Sequence, residues 1–175
     1  MGAPSIEDLK TLATIMAGNF QFRPSLVKAI IHQESRWNPT AWNPEPRYRW
    51  FWNVKTGQKF REITDAEISS ERPPADFPTL AGDTDQEWWA QQASWGLMQV
   101  MGAVARERGC IEKYLPALVY PEVNLQFGLR HFRALVNRWQ DEKVALLRWN
   151  GGGNPNYPAE VLEKEAQFYL PWFPA

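Results

Sequence analysis

Two prolines fence the stretch that most constrains this fold. Pro24 suits the first turn of a helix, where its missing N–H costs nothing. Asn38-Pro39 blocks continuation, because the residue before a proline is pushed out of the α region. Between them Val27, Ile30, Ile31 and Glu34 fall at the spacing of one helical face. A helix striped in this way must be covered by other elements. Its stripe also carries a carboxylate, Glu34, in the last turn, near where the chain opens towards solvent. Desolvation there disfavours the charged form, raises the carboxyl pKa and favours the acid. Taken alone, a Glu at the edge of a stripe with its head in water is the commoner arrangement. The role of Glu34 therefore depends on what the rest of the chain brings to it.

Most of the chain has helical periodicity. Ser5-Ile6-Glu7-Asp8 reads as a capping box, followed by Ile6, Leu9, Leu12 and Ile15, with Gly18-Asn19 as a stop. The segment 40 to 83 breaks the pattern, holding Trp42, Tyr48, Trp50, Phe51, Trp52 and Phe60 among prolines and charges. Within it, Trp50 to Phe60 suits a short hairpin turning near Lys55-Thr56-Gly57, and Thr64-Asp65-Ala66-Glu67 a capped short helix. Thr84-Asp85-Gln86-Glu87 reads as another capping box, opening a helix towards Ala93. Ser94 to Gly109 has helical spacing at Leu97, Val100, Met101 and Val104, interrupted or bent at Gly96 and Gly102. Pro121 opens the strongest helix, whose face runs through Leu125, Leu129, Phe132, Val136 and Trp139. Asp141 caps a helix to Trp149, the loop Asn150 to Asn154 follows, and a last helix runs from Pro158 through Phe168 to a stop at Pro171.

Composition then excludes several function classes. A chain of 175 residues suits one domain, spanning 1–175. The net charge of −1, without any run of basic residues, argues against nucleic acid. Cys110 is the single cysteine, so no intrachain disulfide and no thiolate metal site can form. His32 and His131 stand in no metal-ligand spacing, which favours a surface or packing role for each. Met1 to Phe20 shows neither a basic leader nor an unbroken apolar run, so neither a signal peptide nor membrane insertion is expected. Ten Trp, five Tyr and nine Phe exceed what a small core needs; the excess suits a binding groove, although packing alone, as in a small satellite core, could use most of it.

Three short stretches complete the pattern: Gln33-Glu34-Ser35, Gly96-Leu97-Met98-Gln99-Val100-Met101 and Trp149-Asn150-Gly151-Gly152. In this order, on a helical background, they resemble the soluble lytic transglycosylase family with its lysozyme-like fold. Pro121-Glu122-Val123-Asn124 and Gly128 resemble the family's stretch between the second and third motifs. The likeness covers residues 24 to 39 and 94 to about 165. It implies a mostly α, lysozyme-like single domain with a long irregular insertion at about 40–93. The insertion's long, aromatic arrangement resembles phage-encoded relatives. Together with the absent leader, this gives the expectation of phage delivery, holin release or virion association.

Carried over residue by residue, the resemblance makes Glu34 the catalytic acid, with Ser35 beside it. Gln99, Met101, Trp149, Asn150 and Tyr157 become substrate-binding residues. Trp149 stands where the family usually has tyrosine, so that hydroxyl's role is lost or supplied elsewhere. The implied substrate is the glycan strand of peptidoglycan, cleaved by a monomer at the MurNAc–GlcNAc β-1,4 bond without metal or organic cofactor. One Glu would act as acid and then base, and the sugar's 6-hydroxyl would close a 1,6-anhydro ring. Hydrolytic glycosidases usually use a second carboxylate, about 5–5.5 Å away if retaining or roughly 6.5–9.5 Å if inverting, and the three motifs contain no clear candidate. Glu45, Glu62 or Asp65 of the insertion would supply one in a hydrolytic muramidase. A non-catalytic peptidoglycan-binding or virion structural module is the third reading. Each partner residue also has a plainer role: Gln99 and Asn150 can brace backbone, Met101 can pack in the core, and Tyr157 can simply precede a helix.

Overall fold

The computed structural model describes residues 4–80 and 82–170. Pro171, expected to stop the last helix, lies outside them. Eight α-helices carry the described part of the fold: α1 (Ile6–Asn19), α2 (Pro24–Ser35), α3 (Asp65–Ser69), α4 (Thr84–Gln91), α5 (Gly102–Glu107), α6 (Pro121–Trp139), α7 (Glu142–Trp149) and α8 (Tyr157–Lys164). The expected capping boxes form at Ser5 and Thr64, and Asp141 caps α7 through Val144 N–H at 2.9 Å. At α4 the cap is Asp83 rather than Thr84, because the Asp83 carboxylate already accepts from Gln86 N–H at 2.9 Å.

Helix α2 lies at the centre. Its Leu26, Val27, Ile30 and Ile31 are fully buried, in one core with Leu9 and Ala13 of α1, Leu129 and Phe132 of α6, Leu146 of α7 and Val161 of α8. An ionic clamp fixes its start. Arg23 donates to Glu165 (2.6 and 2.8 Å) and also pairs with Glu142, while Ser25 Oγ donates to Glu165 at 2.6 Å. The helix ends before the Asn38-Pro39 block. Arg36 and Trp37 both take left-handed backbone, with φ of 52° and 69°, which L residues adopt at a cost. Burial of Trp37 and its Nε1–H donation to Tyr169 Oη at 3.0 Å offset that cost. Tyr169 is positioned by a π-helical turn, Glu165–Tyr169, that extends α8.

Two small sheets complete the fold. Strands β1 (Trp42–Pro44), β4 (Ala93–Trp95) and β5 (Val100–Met101) form an antiparallel sheet in the order β1-β4-β5. Strands β2 (Trp52–Asn53) and β3 (Gln58–Lys59) form the expected hairpin. The stretch read as a helix from Ser94 is therefore corrected: it is strand, turn and strand, and only Gly102–Glu107 is helical. Asn124 of α6 fastens the turn, accepting from Met98 N–H (2.8 Å) and donating to the carbonyls of Trp95 (2.7 Å) and Leu118 (3.0 Å). A Cβ on Gly96 would lie 2.4 Å from Asn124 Nδ2, and Gly96 has φ +67°. Only glycine allows that approach. Of the apolar spacing that imitates a helix, Leu97 and Val100 enter the core.

The aromatic segment divides into two parts. Phe51, Phe60, Ile63, Phe77 and Trp88 build a second small core, with Phe51 stacked on Trp88 at 4.1 Å between ring centroids. Trp50, by contrast, is 62% exposed. A buried polar chain ties this segment to the helices. Gln91 pairs with both backbone groups of Trp52 (2.8 and 3.0 Å) and donates to Glu87 (2.9 Å), which is ion-paired to Arg106.

Candidate active site

Glu34 stands half-buried in the last turn of α2. Two donors reach it from the far end of the chain, and both reach the same oxygen. Trp149 Nε1–H donates to Oε1 at 3.0 Å, and the Tyr157 hydroxyl donates to Oε1 as well. Among the described residues no hydrogen bond reaches Oε2. Burial raises the Glu34 pKa above its ordinary 4.5, and the two donated bonds oppose that rise only in part. Burial, and then the neighbouring Glu34, pushes the Tyr157 phenol well above its usual range, so it stays protonated and donates.

The carboxyl opens into a cavity of ≈ 510 Å³ whose lining includes Gln99, Met101, Trp149 and Asn150 together with Asn43, Glu45, Tyr48 and Trp50. Four of the residues singled out in the sequence thus meet Glu34 in one cleft, while Tyr157 bonds to Glu34 without lining the cleft. Ser35 does not line the cleft; its Oγ turns back to the Ile31 carbonyl at 3.2 Å. Gln99 lines the cleft and also braces backbone, its Nε2 donating to the carbonyls of Gly96 (2.9 Å) and Ala41 (3.3 Å). Asn150 Oδ1 accepts from Asn154 N–H at 2.9 Å, closing the glycine loop. Glu160 ties that loop to α2, accepting from Asn154 Nδ2 (3.1 Å) and Gln33 Nε2 (2.8 Å).

Sequence reasoning expects His131 in a surface or packing role, without its lining of the cleft. It lines the cleft, and its ring lies against Trp149 at 5.5 Å. Arg108 Nε–H donates to its Nδ1 at 3.2 Å. Burial, helped by the Arg108 charge, lowers its pKa to about 4, so the ring is neutral at neutral pH and supports Trp149 as an uncharged surface. Its position on the polar side of α6 resembled that of an ordinary surface histidine, and nothing in its neighbours in sequence announces the cleft. Of the three insertion carboxylates, Glu45 lines the cavity and accepts from Ser94 Oγ at 2.9 Å, whereas Glu62 and Asp65 are exposed. Among the described residues no group of three or more His, Cys, Asp or Glu is placed to hold a metal ion, and no helix is long and apolar enough to cross a membrane.

A family model described as "Transglycosylase SLT domain" matches residues 12–169. Neither the curated proteins nor the solved structures give a match.

Proposed function

We infer, because the chain belongs to the transglycosylase SLT domain family, that it breaks the glycan strand with Glu34 as its single acid and base. Membership makes it a glycosidase-like enzyme that cleaves peptidoglycan and acts on the cell wall. The carrying observation is the pair of hydrogen bonds from Trp149 and Tyr157 onto one oxygen of a half-buried carboxyl with a raised pKa. With Oε1 occupied as an acceptor, the transferable proton sits on Oε2.

The first step passes that proton to the glycosidic oxygen between MurNAc and GlcNAc as the C1–O bond breaks. The MurNAc acetamido oxygen closes on C1 and spreads the developing positive charge. Glu34, now a carboxylate steadied by two donors, then takes the proton of the 6-hydroxyl. O6 attacks C1, the acetamide is restored, a 1,6-anhydro ring forms, and Glu34 is again an acid. Mass analysis of digested murein tests this directly. The products should end in 1,6-anhydro-MurNAc, lighter by one water than hydrolytic ends. Reducing MurNAc ends alone would refute it and favour a hydrolytic muramidase, for which Glu45, the insertion carboxylate lining this cleft, would activate water.

Trp149→Phe keeps a ring against His131 and deletes the N–H that steadies the Glu34 carboxylate. A hydrogen bond to a charged group is worth about 1.5–3 kcal/mol, so kcat should fall about tenfold or more. The lost bond is one that lowers the Glu34 pKa. The alkaline limb of the pH–rate profile, where the acid loses its proton, should therefore move to higher pH. An unchanged limb would remove Trp149 from the acid's surroundings.

The insertion at about 40–93 forms one wall of the groove in this reading. Tyr48 and Trp50 line both the catalytic cleft and an adjoining cavity of ≈ 210 Å³ bounded by Trp52, Lys59 and Glu107. Trp50→Ala should weaken glycan binding several-fold through the lost aromatic face. Stability should stay within about 0.5 kcal/mol, as for other exposed substitutions. A large fall in Tm with unchanged KM would show that Trp50 serves packing alone.

A further inference from the structure

The three-stranded sheet has two faces, and only one belongs to the catalytic cleft. Side chains alternate along a strand. Asn43, Ser94 and Met101 share the cleft face, while the paired Trp42 and Trp95 point the other way. On that outer face the Trp42 and Trp95 rings lie 6.1 Å apart, and with Gln86, Trp89, Ala90 and Pro116 they line a cavity of ≈ 150 Å³. Trp42 is 58% exposed and Trp89 40%. Clustered exposed indoles of this kind mark a contact surface. A second, independent observation comes from Gln86, whose Oε1 is buried without a hydrogen-bond partner among the described residues. Buried acceptors are ordinarily satisfied, so an orphan on the wall of a pocket calls for a donor.

We propose that this pocket is a second sugar site, holding one pyranose ring of a glycan strand outside the catalytic cleft. Indole faces suit the C–H faces of a pyranose, and a turn of the Gln86 amide into the pocket presents Oε1 to a sugar hydroxyl. Among the described residues no charged side chain lines the cavity, which fits a neutral ring rather than the carboxylates of a peptide stem. Its volume is well below that of pockets for larger ligands and suits a single ring. Strand β1 is the edge of the sheet, with Asn43 facing the cleft and the adjacent Trp42 facing the pocket. A strand leaving the cleft over this edge reaches the second site. The pocket would therefore hold the enzyme on polymeric substrate while the cleft cuts. The proposal rests on the reading that the substrate is glycan.

Indole N–H resonances of the unaltered protein, followed by NMR during titration with a soluble β-1,4-linked N-acetylglucosamine oligomer, test it without mutation. Signals of Trp42, Trp89 and Trp95 should move together with those of the cleft residues Trp50 and Trp149. Movement of the cleft signals alone overturns the second site and leaves the catalytic reading intact; no movement anywhere overturns both. The paired substitution Trp42→Ala and Trp89→Ala should weaken binding to isolated sacculi on the order of tenfold. The kcat on a short soluble glycan that fills only the cleft should not change. Sacculus binding equal to the parent's, or self-association in sedimentation that the substitutions abolish, would assign the indoles another role.

Discussion

Replacing Glu34 with glutamine is expected to lower turnover of murein roughly 10²–10⁴-fold, the usual contribution of a positioned general acid. Glutamine is the informative choice because it preserves the surroundings. Its Oε1 can still accept from Trp149 and Tyr157, and its NH₂ takes the place of Oε2 without a transferable proton. The same substitution should leave Tm unchanged or raise it, with a pH dependence of defined sign. Burial holds the folded-state pKa of Glu34 above the ordinary 4.5. The native state therefore retains the proton more tightly than the unfolded chain does. At pH below 4.5 both states are protonated, and the variant gains little over the parent. As pH rises through the raised pKa, the parent must ionise a desolvated carboxyl and loses stability, which the variant does not. Activity within a few-fold of the parent's would remove Glu34 from the acid's role. A stability gain that shrinks with rising pH would contradict the account of its burial.

Arg106→Met should produce the largest loss of stability, about 3–5 kcal/mol, as for a buried pair that loses one partner. Both side chains of the pair are 1% exposed. Arg106 donates to both Glu87 oxygens (2.9 and 2.7 Å) and to the carbonyls of Cys110 and Glu112 (each 2.8 Å). Methionine fills similar volume but, among the described residues, leaves the buried carboxylate with Gln91 as its one remaining donor and removes the donor to two carbonyls. For a chain of this length, Tm should fall on the order of 10 °C. Adding Glu87→Gln should recover part of the loss, because the uncompensated charge is then gone. A single-variant loss below about 1 kcal/mol would show that the pair contributes little to stability. The folded fraction should also bind glycan less well. Glu87 holds Gln91, Gln91 holds the Trp52 backbone, and Trp52 lies two residues from the wall residue Trp50.

Local rules carried far in this chain where they had only near neighbours to consider. The stripe through Val27, Ile30, Ile31 and Glu34, the caps at Ser5, Thr64 and Asp141, and the hairpin turning at Gly57 all depend on residues a few positions apart. Such short-range preferences do not change when the chain packs. The same reasoning failed at Gly96 to Gln99, where apolar spacing imitated a helix. The deciding partner there was Asn124 of α6, which pins the turn from 26 residues beyond Met98. It failed again at the cap of α4, because periodicity does not reveal whether Thr84 or Asp83 will take the free N–H groups.

The sequence by itself determined a helical chain with a carboxylate on the buried face of its central helix, and its ordered motifs indicated the family. Tertiary structure alone decided what surrounds that carboxylate. Trp149 and Tyr157 lie 115 and 123 residues from Glu34, and His131 reaches the cleft only because α6 packs beside α7. It also separated Trp50, in the groove, from Phe51, in a second core, although the two are adjacent and equally apolar. The reason is geometric. Secondary structure follows from repeating local angles, whereas burial, pKa and hydrogen-bond partners depend on which distant side chains fill the same space once the helices pack.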